Sequence, residues 1–177
     1  YYYFPSKQEA LYELVHTAYS WYIEHCQAVI ADVDDDPVDQ LTVAVRYLAR
    51  YRMENVSVST VLLRDTERLT GDNAVRVKEL QREAREIMGD IVQTGIDTGK
   101  FRVNSATLAT RAIHSICNSL SLWYRPTGDL TPDMIERDFT QYSLRILGID
   151  PDEAELDRLL GLPVNQAGML DFIADTK

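Results

Sequence analysis

The chain has few of the residues on which catalytic and metal chemistry depend. Its 177 residues include only two cysteines, Cys26 and Cys117, and three histidines, His16, His25 and His114. The cysteines lie far apart, which excludes a disulfide framework and a Cys-x-x-Cys metal or redox pair, and both read as buried thiols. The histidines have no nucleophile or ligand set beside them, and Glu13-x-x-His16 has no second Glu-x-x-His to complete a carboxylate metal bundle. No Gly-x-Ser-x-Gly and no glycine-rich phosphate loop occurs, so neither an enzyme nor a bound cofactor or metal is expected. No stretch approaches the roughly 20 apolar residues that cross a bilayer, and the first residues show no basic region followed by an apolar one. The expectation is a cytoplasmic protein without a membrane partner. Basic residues are also scarce, 18 Lys and Arg against 28 Asp and Glu for a net charge of −10, and such a surface repels nucleic-acid phosphates.

What the chain does have is helical periodicity. With 45% hydrophobic and 26% charged residues it is long enough for one domain with a full core. Apolar positions recur at three and four with no strand alternation, which predicts an all-α protein of seven or eight helices. The first spans 6–31, with stripe residues from Leu11 to Ile30 and Ser6 and Glu9 as a capping box. Asp32-Val33-Asp34-Asp35-Asp36-Pro37 lacks the glycine and closing glutamate of a calcium loop, so it reads as a connection whose Asp36 caps a second helix over 38–54. A third helix, capped by Asn55 or Ser57, is expected to reach Leu69, and the longest covers 73–98. The helix over 105–124 carries no charge between Arg111 and Arg125, which suits a central or partner-facing position, and His114 within it reads as a hydrogen-bonded core or interface residue. Thr131 caps the next, with Pro132 at its first position, and a last short helix over 149–162 is expected from Asp150-Pro151.

The opening Tyr1-Tyr2-Tyr3-Phe4-Pro5-Ser6-Lys7 reads as the end of an apolar helix, a proline stop and the cap of a new helix. This order resembles the TetR family of bacterial repressors, whose recognition helix commonly ends in Tyr-Tyr-His-Phe before x-Ser-Lys-x-x-Leu; Tyr3 stands at the usual histidine. The resemblance covers residues 1–148. It implies that 1–5 are the tail of a DNA-binding helix-turn-helix, with the basic reading segment preceding them. Residues 6–148 would then be an effector-binding and dimerisation domain with a four-helix-bundle interface between two copies, and 149–177 a C-terminal helix and tail. Operator DNA and a small hydrophobic effector are the implied partners, with Tyr1, Tyr2 and Lys7 at the phosphates. Gly95-x-x-x-Gly99-x-Phe101, Trp123-Tyr124-Arg125-Pro126-x-Gly128-x-Leu130-Thr131 and the charged segment 63–69 look like the subgroup that answers to acyl-CoA thioesters.

Helix faces give the effector candidates Tyr47, Tyr51, Leu62, Met88, Ile91, Val92, Ile113, Cys117 and Trp123, with Arg64, Arg68 or Arg125 for an anionic group. An uncharged aromatic or drug effector is the alternative, and a helical dimeric ligand-binding scaffold with no DNA role is another.

Overall fold

The computed structural model describes residues 4–165. Seven α-helices and one 3-10 turn make up its regular structure, with no strand among the described residues. They are α1 (Lys7–Ala31), α2 (Pro37–Glu54), α3 (Val56–Arg64), the 3-10 turn Thr66–Arg68, α4 (Gly71–Asp97), α5 (Ala106–Trp123), α6 (Pro132–Ile146) and α7 (Glu153–Leu160). The all-α expectation holds. Three helix starts are set by the capping side chains read from the sequence: Ser6 accepts from the Glu9 N–H, Asp36 from Val38 and Thr131 from Met134; Ser105, accepting from Leu108, caps a fourth.

Two boundaries differ from expectation. The third helix stops at Arg64, and Leu69 lies beyond the 3-10 turn, buried as an anchor rather than as a helical stripe residue. The last helix starts at Glu153 under Asp152, whose carboxylate accepts from the Glu155 N–H at 2.8 Å. Asp150 is drawn instead to Arg145, 2.7 Å away.

The middle of the molecule is α2. Periodicity suggests a helix with one apolar stripe, yet nearly all its residues are buried, including Asp39, Arg46 and Arg52. Every other α-helix packs against it. Burying charged residues demands partners, and these come from distant parts of the chain. Glu136 of α6, 3% exposed, takes Arg46 at 3.1 Å and also Arg50. Arg46 further donates to the Leu162 carbonyl at 2.7 Å, and Asp39 receives Arg158 at 2.7 Å, which fastens α7 to α2.

The stop after α4 depends on close packing. Gly99 has φ +73, the left-handed conformation glycine adopts freely, and Phe101 turns back so that its N–H meets the Gly95 carbonyl at 2.8 Å. The Phe101 ring, 2% exposed, then occupies the place where a Gly95 side chain would begin.

Near its first turn, α1 is held by one side chain. Gln8 Nε2 donates to the Arg68 carbonyl at 2.8 Å, and Gln8 Oε1 accepts the Thr70 N–H at 3.3 Å. This clasp joins α1 to the segment between the 3-10 turn and α4.

Candidate functional site

A cavity of about 580 Å³ opens between α1, α2, α3, the 3-10 turn, α4 and α5, within the roughly 300–1,000 Å³ typical of small-molecule sites. Tyr19, Tyr22, Leu48, Leu62, Leu69 and Val77 form its apolar wall, all of them buried. Tyr22 and Tyr51 meet edge to face at 5.4 Å, a packing that favours rigid, defined rings. The Tyr51 hydroxyl donates to the Ala18 carbonyl at 3.3 Å, which ties α2 to α1 behind the rings.

The polar part of the lining is unusual for so acidic a chain. Arg52, Lys78 and Arg85 face the cavity against a single carboxylate, Glu67, whereas the protein as a whole carries a net charge of −10. Lys78, Arg85 and Glu67 are exposed at the rim, and Arg52 is only 6% exposed, on the inner wall. Among the described residues no carboxylate forms an ion pair with Arg52. Its Nε donates to Asn118 Oδ1 at 3.0 Å and its Nη1 to Ser59 Oγ at 3.2 Å, and its guanidinium lies 5.5 Å from the Tyr51 ring centroid. Neutral acceptors satisfy part of its hydrogen bonding, and its charge meets a ring face but no counter-ion.

His114 lies one helical turn before Asn118 on the same face of α5. Its Nε2 is shielded from solvent and has no hydrogen-bond partner, contrary to the bonded histidine expected. Burial, with the guanidinium charges of Arg52 and Arg85 adding to it, lowers its pKa to about 4, so the ring is neutral near pH 7.

Of the effector candidates, Tyr51 and Leu62 line this cavity. Tyr47 stands behind its wall, 5.7 Å from Tyr22, while Met88, Val92, Ile113 and Cys117 fill the core. Ile91 faces an acidic groove between α1 and α4. Trp123 is 41% exposed at the end of α5, beside Phe139. Arg64 and Arg125 come together, but in a separate groove lined by α3 and the end of α5. Arg68 points outward and pairs with Asp65 at 3.2 Å. Lys7 is exposed at the start of α1, and Tyr1 and Tyr2 lie outside the described residues. The sequence reading missed Arg52, His114, Asn118, Gln81 and Arg85. The available signal was His114 and Asn118 at i, i+4 on a helix face without charges.

A family model described as "Tetracyclin repressor-like, C-terminal domain" matches residues 34–147. Several solved structures share the fold. PfmR, a TetR family transcriptional regulator from Thermus thermophilus, is 28% identical at a TM-score of 0.70, over 82% of this chain and 77% of its own. AibR, solved in complex with isovaleryl coenzyme A and operator DNA, is 16% identical at a TM-score of 0.71, over 77% and 74%. RolR, solved with resorcinol, is 19% identical at a TM-score of 0.62, over 94% and 76%. No curated protein sequence matches the chain. The family match spans most of the helices that enclose the cavity, and the chain belongs to the TetR family of transcriptional regulators, whose C-terminal domain it carries.

Proposed function

We propose that this protein is a repressor that releases operator DNA when an acyl-CoA thioester enters the cavity. The observation that carries this reading is the excess of positive charge around an apolar cavity in an acidic protein. Lys78 and Arg85 at the rim suit phosphates, and the leucine, valine and tyrosine wall suits an acyl chain. AibR, of the same fold, binds isovaleryl coenzyme A and operator DNA. The Gln8 clasp supplies a route outward, because Thr66, Glu67 and Leu69 line the cavity and the clasp grips the residues beside them. Both of its hydrogen bonds are exposed and each is worth only about 1 kcal/mol, so a ligand that shifts this segment can open it. A hundredfold loss of operator affinity requires about 2.7 kcal/mol of differential binding, within reach of a partly buried acyl chain.

The test is operator binding by the full-length regulator, followed by fluorescence anisotropy, with isovaleryl-CoA, hexanoyl-CoA and free CoA. Thioesters should weaken binding about a hundredfold and free CoA far less. Unchanged anisotropy with every thioester would count against this effector. RolR and the tyrosines of the wall favour a second reading, an uncharged aromatic effector, and resorcinol added to the same assay separates the two.

The homodimer is part of the same proposal. Leu122, Trp123, Met134 and Tyr142, from α5 and α6, are all more than 40% exposed, an apolar surface suited to an isologous four-helix contact. Leu122→Glu should weaken dimerisation about tenfold or more by sedimentation equilibrium; unchanged association would place the contact elsewhere.

A further inference from the structure

We infer that the inner wall of the cavity is a carboxylate-binding pole formed by Arg52, His114 and Asn118, so that the end of the effector lying deepest is a carboxylate and not a hydrocarbon terminus. This inference rests on the effector reading of the cavity and specifies its chemistry.

Three observations support it. Arg52 is 6% exposed with no carboxylate partner among the described residues, and a guanidinium in that position is best completed by a bidentate anion. His114 lines the same space, and its ring makes no hydrogen bond among the described residues. Asn118 accepts from Arg52 through Oδ1, and this bond fixes the inner face of the guanidinium. A plain acyl chain reaching this wall would leave the Arg52 charge buried without a partner, which is costly. A carboxylate supplies that partner, from either of two sources. One is a thioester whose acyl chain ends in a second carboxyl group; the other is a free fatty acid entering carboxylate first.

The arrangement also links binding to a proton. The charged groups around the same space are Arg52 from α2, Arg85 and Lys78 from α4, and Glu67 from the 3-10 turn; the phenols are Tyr19 and Tyr22 of α1 and Tyr51 of α2. Burial, with the guanidiniums of Arg52 and Arg85 adding to it, keeps His114 neutral. A carboxylate placed between Arg52 and His114 offsets them, and the imidazole takes up a proton as its counter-charge to the ligand.

Titration calorimetry on the intact dimer with adipyl-CoA, hexanoyl-CoA, hexanoate and hexanol tests the pole. Adipyl-CoA should bind about ten- to a hundredfold tighter than hexanoyl-CoA, and hexanoate than hexanol by a similar factor, as a charge-assisted bond to a buried guanidinium implies. Arg52→Gln should abolish both preferences. His114→Gln should keep the fold and remove the rise in carboxylate affinity that the wild type shows between pH 7.5 and 5.5. If Arg52→Gln does not fold, this pH difference still decides the matter. Equal affinities within each ligand pair, or no binding by any of the four, overturn the pole. Tight hexanoyl-CoA binding with operator release but no carboxylate preference would defeat the pole and leave the proposed function standing. Carboxylate preference without operator release would do the reverse.

Discussion

Glu136→Ala should unfold about 10 °C below the wild type. The side chain pairs with both Arg46 and Arg50, and its removal strands the Arg46 guanidinium, which is 7% exposed, while Arg50, 29% exposed, keeps the nearby charges of Asp133 and Glu54. Breaking a buried pair from one side costs about 3–5 kcal/mol, far more than the pair contributes relative to apolar replacements, and in a protein of this length each kcal/mol moves the midpoint by about 2–4 °C. That asymmetry supplies the control. Arg46→Met combined with Glu136→Leu should recover a large part of the loss, because no buried charge then lacks a partner at the more enclosed end. Differential scanning calorimetry of the single and double variants reads both effects. A Glu136→Ala midpoint within about 2 °C of the wild type would mean that water reaches Arg46.

Gly95→Ala should be destabilising by about 2 kcal/mol, although alanine is the better helix former by about 1 kcal/mol. A Cβ at this position would lie 2.0 Å from Phe101 Cδ2 and 2.6 Å from Cγ, so the clash reaches the root of the ring and no rotation of its far edge relieves it. The ring has to leave its buried seat, and the lost burial outweighs the gain in propensity. Phe101→Ala is itself destabilising, but Gly95→Ala added to it should be neutral or favourable, because the obstacle is gone and the propensity term remains. Urea unfolding of the four proteins closes the cycle. Additive effects would show that Gly95 and Phe101 do not share this space.

The same pair shows how much of the structure could be read from the sequence. Gly95-x-x-x-Gly99-x-Phe101 is visible as a pattern, and its physical content is local: a left-handed glycine and a ring folded back within seven residues. Helix starts at Ser6, Asp36 and Thr131 were legible for the same reason, since each cap bonds within three residues. Features decided at long range were not. The all-round burial of α2 depends on Glu136 and Arg158, about ninety and more residues away, and a helical stripe cannot reveal charges neutralised from such a distance. Likewise Asp150 looks as good a cap as Asp152 until Arg145 is placed beside it.

The candidate site divides in the same way. Tyr51 and Leu62 could be picked out by helix face, but any arginine in a charged segment looks a suitable anion partner, and the more exposed Arg64, Arg68 and Arg125 drew attention away from Arg52. What distinguishes Arg52 is that it is buried without an ion-pair partner among the described residues, a property of the packed structure alone.

The position of α2 also has a mechanical consequence. A helix gripped on every side cannot tilt without disturbing all its neighbours, and its ion pairs bind it to α6 and α7. The cavity lies on the other side, where α1 and α3 meet α2 through apolar packing and hydrogen bonds to neutral acceptors, and the exposed Gln8 clasp ties α1 to the residues before α4. The molecule thus has a locked side and a lightly latched one: ion pairs join α2 to α6 and α7, while beside the cavity the first turn of α1 is latched by two exposed hydrogen bonds.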